Sequence, residues 1–343
     1  MEARTASERA KARRHALYWV VAALALVLAA FAVLRRGLSA TSNGASAVAD
    51  PLSLVPPGPA FVLTVDVMRL RASPFGAELL GKGLERLNPR GAEGAVRSCQ
   101  SLLGGLERLA VSMPAGDAAN APAAASFGVV GAGHFSKTAV LDCARATAGG
   151  RDAVPTTIGS FDTLRVPEKS GELAARDGLF VVSDGDYFRA LLDRAEGHPG
   201  RASAGSAARD GLHAELRRVI GQSAPIVATL TLEPGWLSRM AGDPEADRSP
   251  LAALRAAALR ANVTRELELS GMLATTSDDD AARVERFFTN LKSDLGPLAT
   301  TGALGLLSKV ALVRHGSELD FSGKLSLADL ETLAPPAAPA PSR

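Results

Sequence analysis

Phe127–Thr138 reads FGVVGAGHFSKT, and its interpretation decides what kind of protein this chain is. An apolar strand runs into glycines, then into a lysine and a threonine where a helix begins. That is the outline of a phosphate-binding loop, which would make it the active site of a nucleotide enzyme. Such a loop needs G-x-x-x-x-G-K-[ST], because the glycines let backbone N–H groups turn toward the phosphates and the lysine reaches their outer oxygens. Counting from Gly131, the residue before Lys137 and Thr138 is Ser136, where the loop requires glycine. A side chain there obstructs the wrap of backbone around a phosphate. The expectation is a strand end, a glycine turn and Ser136 as helix N-cap.

The compartment argues the same way. Upstream lies ARRHALYWVVAALALVLAAFAVLRRG, and Ala16–Leu34 carries no charged residue. As a helix this stretch spans about 28 Å, close to the hydrocarbon thickness of a bilayer. Tyr18 and Trp19 stand at its first edge and Arg35 and Arg36 at its second. A signal peptide has a shorter apolar core with a small-residue cleavage site soon after it. Here arginines follow the core, and no cysteine sits in lipobox position. An uncleaved anchor is therefore expected. Five Lys/Arg precede it and two follow, so the positive-inside rule leaves residues 1–15 as a basic cytoplasmic tail. The bulk of the chain then lies in the periplasm, outside the inner (plasma) membrane, where ATP is not available.

The 343 residues are 47% hydrophobic and 22% charged, enough for a substantial core. Residues 1–36 hold seven of the 38 basic and two of the 36 acidic residues, so the remainder has 31 against 34 and is mildly acidic. Without a basic stripe to release counterions, a nucleic-acid partner is not expected. Residues 35–58 are small, polar and proline-rich and read as a flexible linker. Residues 334–343 read as a disordered proline–alanine tail. The folded body is 59–333.

Within that body strand and helix patterns alternate. Strands are expected at Phe61–Val67, Leu109–Met113, Phe127–Ala132, Thr156–Val166 and Leu179–Ser183, with helices at Lys137–Ala148 and Tyr187–Ala195. The second half is expected to run as a strand at Ile226–Leu232, helices at Gly235–Ala241 and Pro250–Ala261, a long strand at Val263–Thr276, a helix at Asp278–Leu295, and strands near Lys309–Arg314 and Glu318–Lys324. The fold class is α+β: mainly antiparallel sheet, helices packed on one face, and two degenerate half-repeats at 59–196 and 207–333. In TSDDDAARVERFFTNLKSDLG, Ser277 caps a helix whose positive end faces Asp278, Asp279 and Asp280. The spacing of a calcium loop is absent.

Catalytic patterns are scarce. His15, His134, His198, His213 and His315 are isolated in sequence, and there is no H-E-x-x-H, G-x-S-x-G or S-x-x-K. His213-Ala214-Glu215 opens like a deaminase signature but lacks P-C-x-x-C. Asp66, ending a strand ahead of Arg69 and Arg71, is weighed as a catalytic acid but reads as a helix cap or ion-pair partner, and Trp236 reads as a packing residue. No catalytic, cofactor or metal residue is assigned. The two cysteines, Cys99 and Cys143, are either buried thiols on apolar helix faces or one disulfide, and an exported chain favours the disulfide.

FVLTVDVMRLRASPFGAELL, with Cys99 before LERLAVSMP and Cys143 after FGVVGAGHF, resembles uncharacterised, membrane-anchored envelope proteins of high-GC Gram-negative bacteria, over about residues 55–200. The resemblance implies export and the disulfide, and no catalytic residue. The expected function is a single-pass inner-membrane protein with a non-catalytic periplasmic binding or scaffolding module. Its partners are the bilayer, through 16–34, and another envelope protein, with neither nucleotide nor cofactor. The alternatives are an envelope hydrolase with a dispersed site, or a carrier of apolar ligands or lipids.

Overall fold

The computed structural model describes residues 50–78, 93–115, 127–147, 154–165, 171–197, 205–209, 211–241, 244–295 and 308–331. The expected cytoplasmic tail, the anchor at 16–34 and the proline–alanine tail lie outside them. No helix among the described residues is long and apolar enough to cross a membrane.

The first half contains β1 (Pro59–Asp66), α1 (Val67–Ala72), α2 (Glu93–Gly105), β2 (Leu106–Pro114), β3 (Gly128–Gly133) and α3 (Lys137–Thr147). It continues with β4 (Val154–Ile158), β5 (Phe161–Arg165), β6 (Glu172–Arg176), β7 (Leu179–Ser183) and α4 (Gly185–Ala195). The second half contains α5 (Gly211–Ile220), β8 (Ile226–Thr231), α6 (Trp236–Ala241), β9 (Leu254–Val263), β10 (Leu267–Thr275), α7 (Asp278–Leu295), β11 (Val310–His315), β12 (Glu318–Leu325) and α8 (Leu327–Glu331). Among the described residues twelve strands form one sheet in the order β11-β12-β10-β9-β8-β1-β2-β3-β7-β6-β5-β4. Every pairing in it is antiparallel.

The strand order is built twice. From the central β1–β8 pair, each half steps outward through three strands, crosses by a helix (α3 or α7), and returns with a strand that pairs the third (β7 on β3, β12 on β10).

The expectation of helices on one face is corrected. Successive strand residues point to opposite faces, and both faces are buried. Val129 and Phe180 pack with Val140 and Leu141 of α3. Their neighbours Val130 and Val181 pack with Phe188, Leu191 and Leu192 of α4. On the second half, α7 lies on the α3 side against Leu273, Leu312 and Leu319, while Leu216 and Ile220 of α5 lie on the α4 side against Val227, Ala256 and Ala258. The reason is legible in LFVVS of β7 and IVAT of β8. Such continuous apolar runs call for cover on both sides, whereas an alternating pattern would need it on one.

Three local expectations are also revised. Pro250–Ala261, rich in alanine, leucine and arginine, has high helix propensity but forms a 3-10 turn (Pro250–Ala253) followed by β9. Tertiary packing overrides propensity here: Ala256 and Ala258 are almost fully buried, and their small side chains let α5 sit close to the sheet. In place of one strand at Thr156–Val166 stands the β4–β5 hairpin, Val154–Arg165, turning at Gly159–Ser160. The linker ends earlier than its composition implied. Asp50 caps a 3-10 turn, Pro51–Leu54, whose Leu52 is buried and which is followed by fully buried Val55.

The strand assignment of β9 makes a test. Ala258→Leu would favour a helix, yet on β9 it overpacks the α5 interface and costs about 1–3 kcal/mol. The same substitution at exposed Asn262 is expected to change the urea midpoint little.

Candidate functional site

The glycine-rich segment ends β3 and opens α3, and its glycines serve packing. A Cβ on Gly131 would lie 2.2 Å from the Phe180 ring, which itself packs tilted against Phe135 at 5.7 Å between centroids. A Cβ on Gly133 would lie 2.1 Å from the Gly105 carbonyl oxygen. Three backbone N–H groups along the segment are engaged within the protein. Gly133 donates to the Gly178 carbonyl at 3.1 Å, His134 to that of Gly105 at 2.7 Å, and Lys137 to the Asp177 carboxylate at 2.8 Å. The Lys137 ammonium pairs with Asp162 at 2.8 Å, and that hydrogen-bonded pair holds its pKa above the usual lysine range. Ser136 accepts from the Ala139 N–H at 3.2 Å, as an N-cap does.

Beside this junction lies a dyad that no sequence spacing revealed. His134 Nδ1 is 2.6 Å from Glu107 Oε1, and a carboxylate only accepts, so Nδ1 carries the proton. Glu107 also faces Arg71, whose guanidinium donates to the carbonyls of Gly104 and Leu106. Burial lowers the Arg71 pKa, and Glu107 opposes that shift. His134 Nε2 is buried without a hydrogen-bond partner. An imidazole oriented by a carboxylate is two-thirds of a catalytic triad. No described hydroxyl or thiol bonds to its free nitrogen.

A polar cleft of about 370 Å³ opens at the start of α7, lined in part by Asp247, Arg248, Arg255, Asp280 and Arg283. The predicted cap adjoins it through Thr276 and Asp280. The Asp280 N–H donates to Ser277 Oγ at 3.2 Å, and Ser277 Oγ donates back to the Asp280 carboxylate at 2.8 Å. Thr276 donates to the same carboxylate and Arg283 pairs with it. Those hydroxyl bonds, aided by the charges of Arg283 and Arg255 and against burial, hold the Asp280 pKa below the usual carboxylate range. The positive end of the helix, where an anion would dock, is thus occupied by a side chain of the helix itself. Among the described residues no group of three or more His, Cys, Asp or Glu could hold a metal ion.

Cys99 on α2 and Cys143 on α3 form the disulfide, 44 residues apart in sequence. It closes a loop worth about 3–4 kcal/mol in the chain-entropy view, and it ties the two helices that cover one face of the first half. Asp66 is the N-cap of α1, accepting from the Arg69 N–H at 2.9 Å. Trp236 packs beside Leu237 and Leu251.

The opposite face holds a second polar cluster. His213 and Arg217, one turn apart on α5, are 4% and 5% exposed. His213 Nε2 lies 2.6 Å from the Pro59 carbonyl and Nδ1 lies 2.8 Å from Thr229 Oγ1. Arg217 donates to Thr64 Oγ1 at 2.9 Å. Nearby, Tyr187 donates to buried Ser112 at 2.8 Å.

The packing role of the glycines is checked by mutation. Gly131→Ala should cost about 1–3 kcal/mol by overpacking, and Phe180→Leu in the same chain should recover part of it. Gly133→Ala, which meets backbone, should show no such recovery in a double-mutant cycle followed by urea denaturation.

No protein-family model matches the chain, and no curated protein matches it. Solved structures of TP0453 in crystal forms III and I align with TM-scores of 0.45 and 0.46, each at 11% identity. Each alignment covers 83% of this chain and 97% of that one. A likeness at this level carries no argument about function.

Proposed function

We propose that the chain is a single-pass inner-membrane protein whose extracytoplasmic α+β body binds or scaffolds other envelope components without catalysing a reaction. The observation that carries this reading is the charge-free stretch at 16–34, long enough to span a bilayer and flanked by more positive charge before it than after it. The Cys99–Cys143 bond supports it, because disulfides persist in oxidising compartments. So does the chemistry of the clefts: the β3–α3 junction and the α7 N-terminus spend their donors and charges on the protein's own groups. A lipid carrier draws no support from the α7 cleft, whose lining includes three arginines and two aspartates.

The test is topological. Alkaline phosphatase fused at the C-terminus should be active and a green fluorescent protein fusion dark, with the chain retained in the membrane pellet after carbonate extraction. A fluorescent, soluble fusion overturns the reading. In-cell crosslinking should then recover one envelope complex repeatedly.

A second reading, an envelope hydrolase, has one observation in its favour: the Glu107–His134 pair with its unpartnered Nε2. If it holds, the purified chain hydrolyses a generic ester or amide and His134→Ala removes that turnover while the urea midpoint moves little. An equal rate in the variant ends it.

A further inference from the structure

Helix α5 meets the sheet through an unusual seam. In GLHAELRRVI the apolar Leu212 and Val219 face solvent at 44% and 70% exposure, while His213 and Arg217 are turned inward. Leu216 and Ile220 supply the apolar contact on Val227, Ala256 and Ala258. The rest of the grip is polar.

The imidazole of His213 is held in one neutral tautomer. A carbonyl only accepts, so Nε2–H donates to Pro59, and Nδ1 is left to accept from the Thr229 hydroxyl. The Pro59 carbonyl also accepts from Thr231 Oγ1 at 3.1 Å. One carbonyl at the start of β1 thus joins α5, β8 and the chain that enters the sheet. A proton added at Nδ1 would reverse the Thr229 bond, the hydroxyl oxygen now accepting, and create a second buried cation one helical turn from Arg217.

Arg217 is poorly placed to tolerate that. Its Nε and Nη1 are buried without hydrogen-bond partners. Its compensating charge is Asp50, the cap of the 3-10 turn Pro51–Leu54. That turn is a strap across the same face: Leu52 and Val55 pack on Val62, Ala110 and Ala207, and the Val55 carbonyl accepts from the Ala207 N–H at 3.2 Å. The charged groups along this seam are therefore Arg217 on α5, which acts on His213, Asp50 on the strap, which acts on Arg217, and Arg260 on β9, which donates to the Ile220 carbonyl at 2.8 Å. β1 and β8 present the Pro59 carbonyl, Thr64 and Thr229, none of which titrates near neutrality.

We propose that His213, Arg217 and Asp50 form an acid-released clasp, which holds α5 and the strap on the sheet at neutral pH and lets them open when His213 is protonated. Opening would uncover the apolar sheet surface at Val227, Ala256, Ala258 and Met272. Burial pushes the His213 pKa below its ordinary 6.5, the Arg217 charge acts in the same direction, and the Pro59 carbonyl offsets part of it. Burial pushes Arg217 down to about 10, so it stays charged throughout the range that matters. A base whose folded value is depressed takes up its proton more readily once released. The clasp is then at full strength above pH 6.5 and weakens as pH falls below it. The device is intrinsic to the body and does not depend on the compartment proposed above.

Hydrogen exchange on the full-length chain in detergent, corrected for intrinsic rates, reads it directly. Between pH 7 and 5, protection over 211–220 and 50–55 should fall by up to about tenfold per pH unit below 6.5. Protection over 137–147 of α3 should hold. His213→Gln keeps one donor and one acceptor but cannot be protonated, and its protection should stay flat across the same range. Equal protection of the wild type at both pH values, or the same loss in His213→Gln, overturns the proposal. Should His213→Gln lack protection already at pH 7, Arg217→Met provides the second arm. Without the neighbouring cation the folded His213 pKa rises toward 6.5, so the loss should still begin near pH 6.5 but be smaller and level off sooner, and an unchanged profile overturns the clasp.

Discussion

β1 and β8 pair antiparallel across the middle of the sheet, from Phe61 opposite Leu230 to Val65 opposite Ile226. Both strands are apolar on both sides: Leu63 and Val65 face one way and Val62 the other, and Ile226 and Ala228 oppose Val227 in the same manner. A sheet with such a centre cannot leave either face to water, since each fully buried valine or leucine side chain is worth about 1.5–3 kcal/mol. Everything else in the architecture answers that demand. α2, α3 and α7 cover one face, and α4, α5 and the Asp50–Val55 strap cover the other.

The central pair is also where the two similarly ordered halves join. Each half is a meander, a crossing helix and a returning strand. Elaboration is confined to the outside. The first half adds a hairpin and the disulfide between α2 and α3, whereas the second adds the 3-10 turns at Pro244–Arg248 and Pro250–Ala253. The edge strands end in water: all five residues of β4 are exposed, and Pro155 within it removes one backbone donor from that edge, a device that discourages further strand pairing.

Polar groups inside the body do structural work in three places. Gly133, His134 and Lys137 knit the β3–α3 junction, Ser277 and Asp280 close the start of α7, and His213 with Arg217 holds α5. The first leaves His134 Nε2 without a partner, and beside the second Arg255 Nη1 has none. The third leaves more unmet, because Arg217 keeps two N–H groups unpaired in a buried position, where missing partners are costly. That imbalance underlies the clasp proposed at α5. The Glu107–His134 pair is balanced differently: its carboxylate is shared with Arg71 and its imidazole has one idle nitrogen.

Wherever local chemistry decides, the sequence was sufficient. Ser136 read as the N-cap of α3 and accepts from the Ala139 N–H, and Ser277 with Asp280 fixed the start of α7 at Asp278. Asp66 announced a helix cap, and LFVVS announced β7 at its true bounds. These are interactions within a few residues, or runs whose burial is written in one strand. What only the tertiary structure decided were the elements whose partners are remote. β9 is a strand despite a helix-forming composition because α5 and β10 pack on its alanines. α5 escaped notice because its inward face carries His213 and Arg217 while Leu212 and Val219 point outward, so apolar periodicity gives the wrong side. The two-sided cover, the Glu107–His134 pair and the clasp at Pro59 likewise join residues 27 to 154 positions apart. No spacing rule reaches across such gaps, because their proximity follows from sheet order alone.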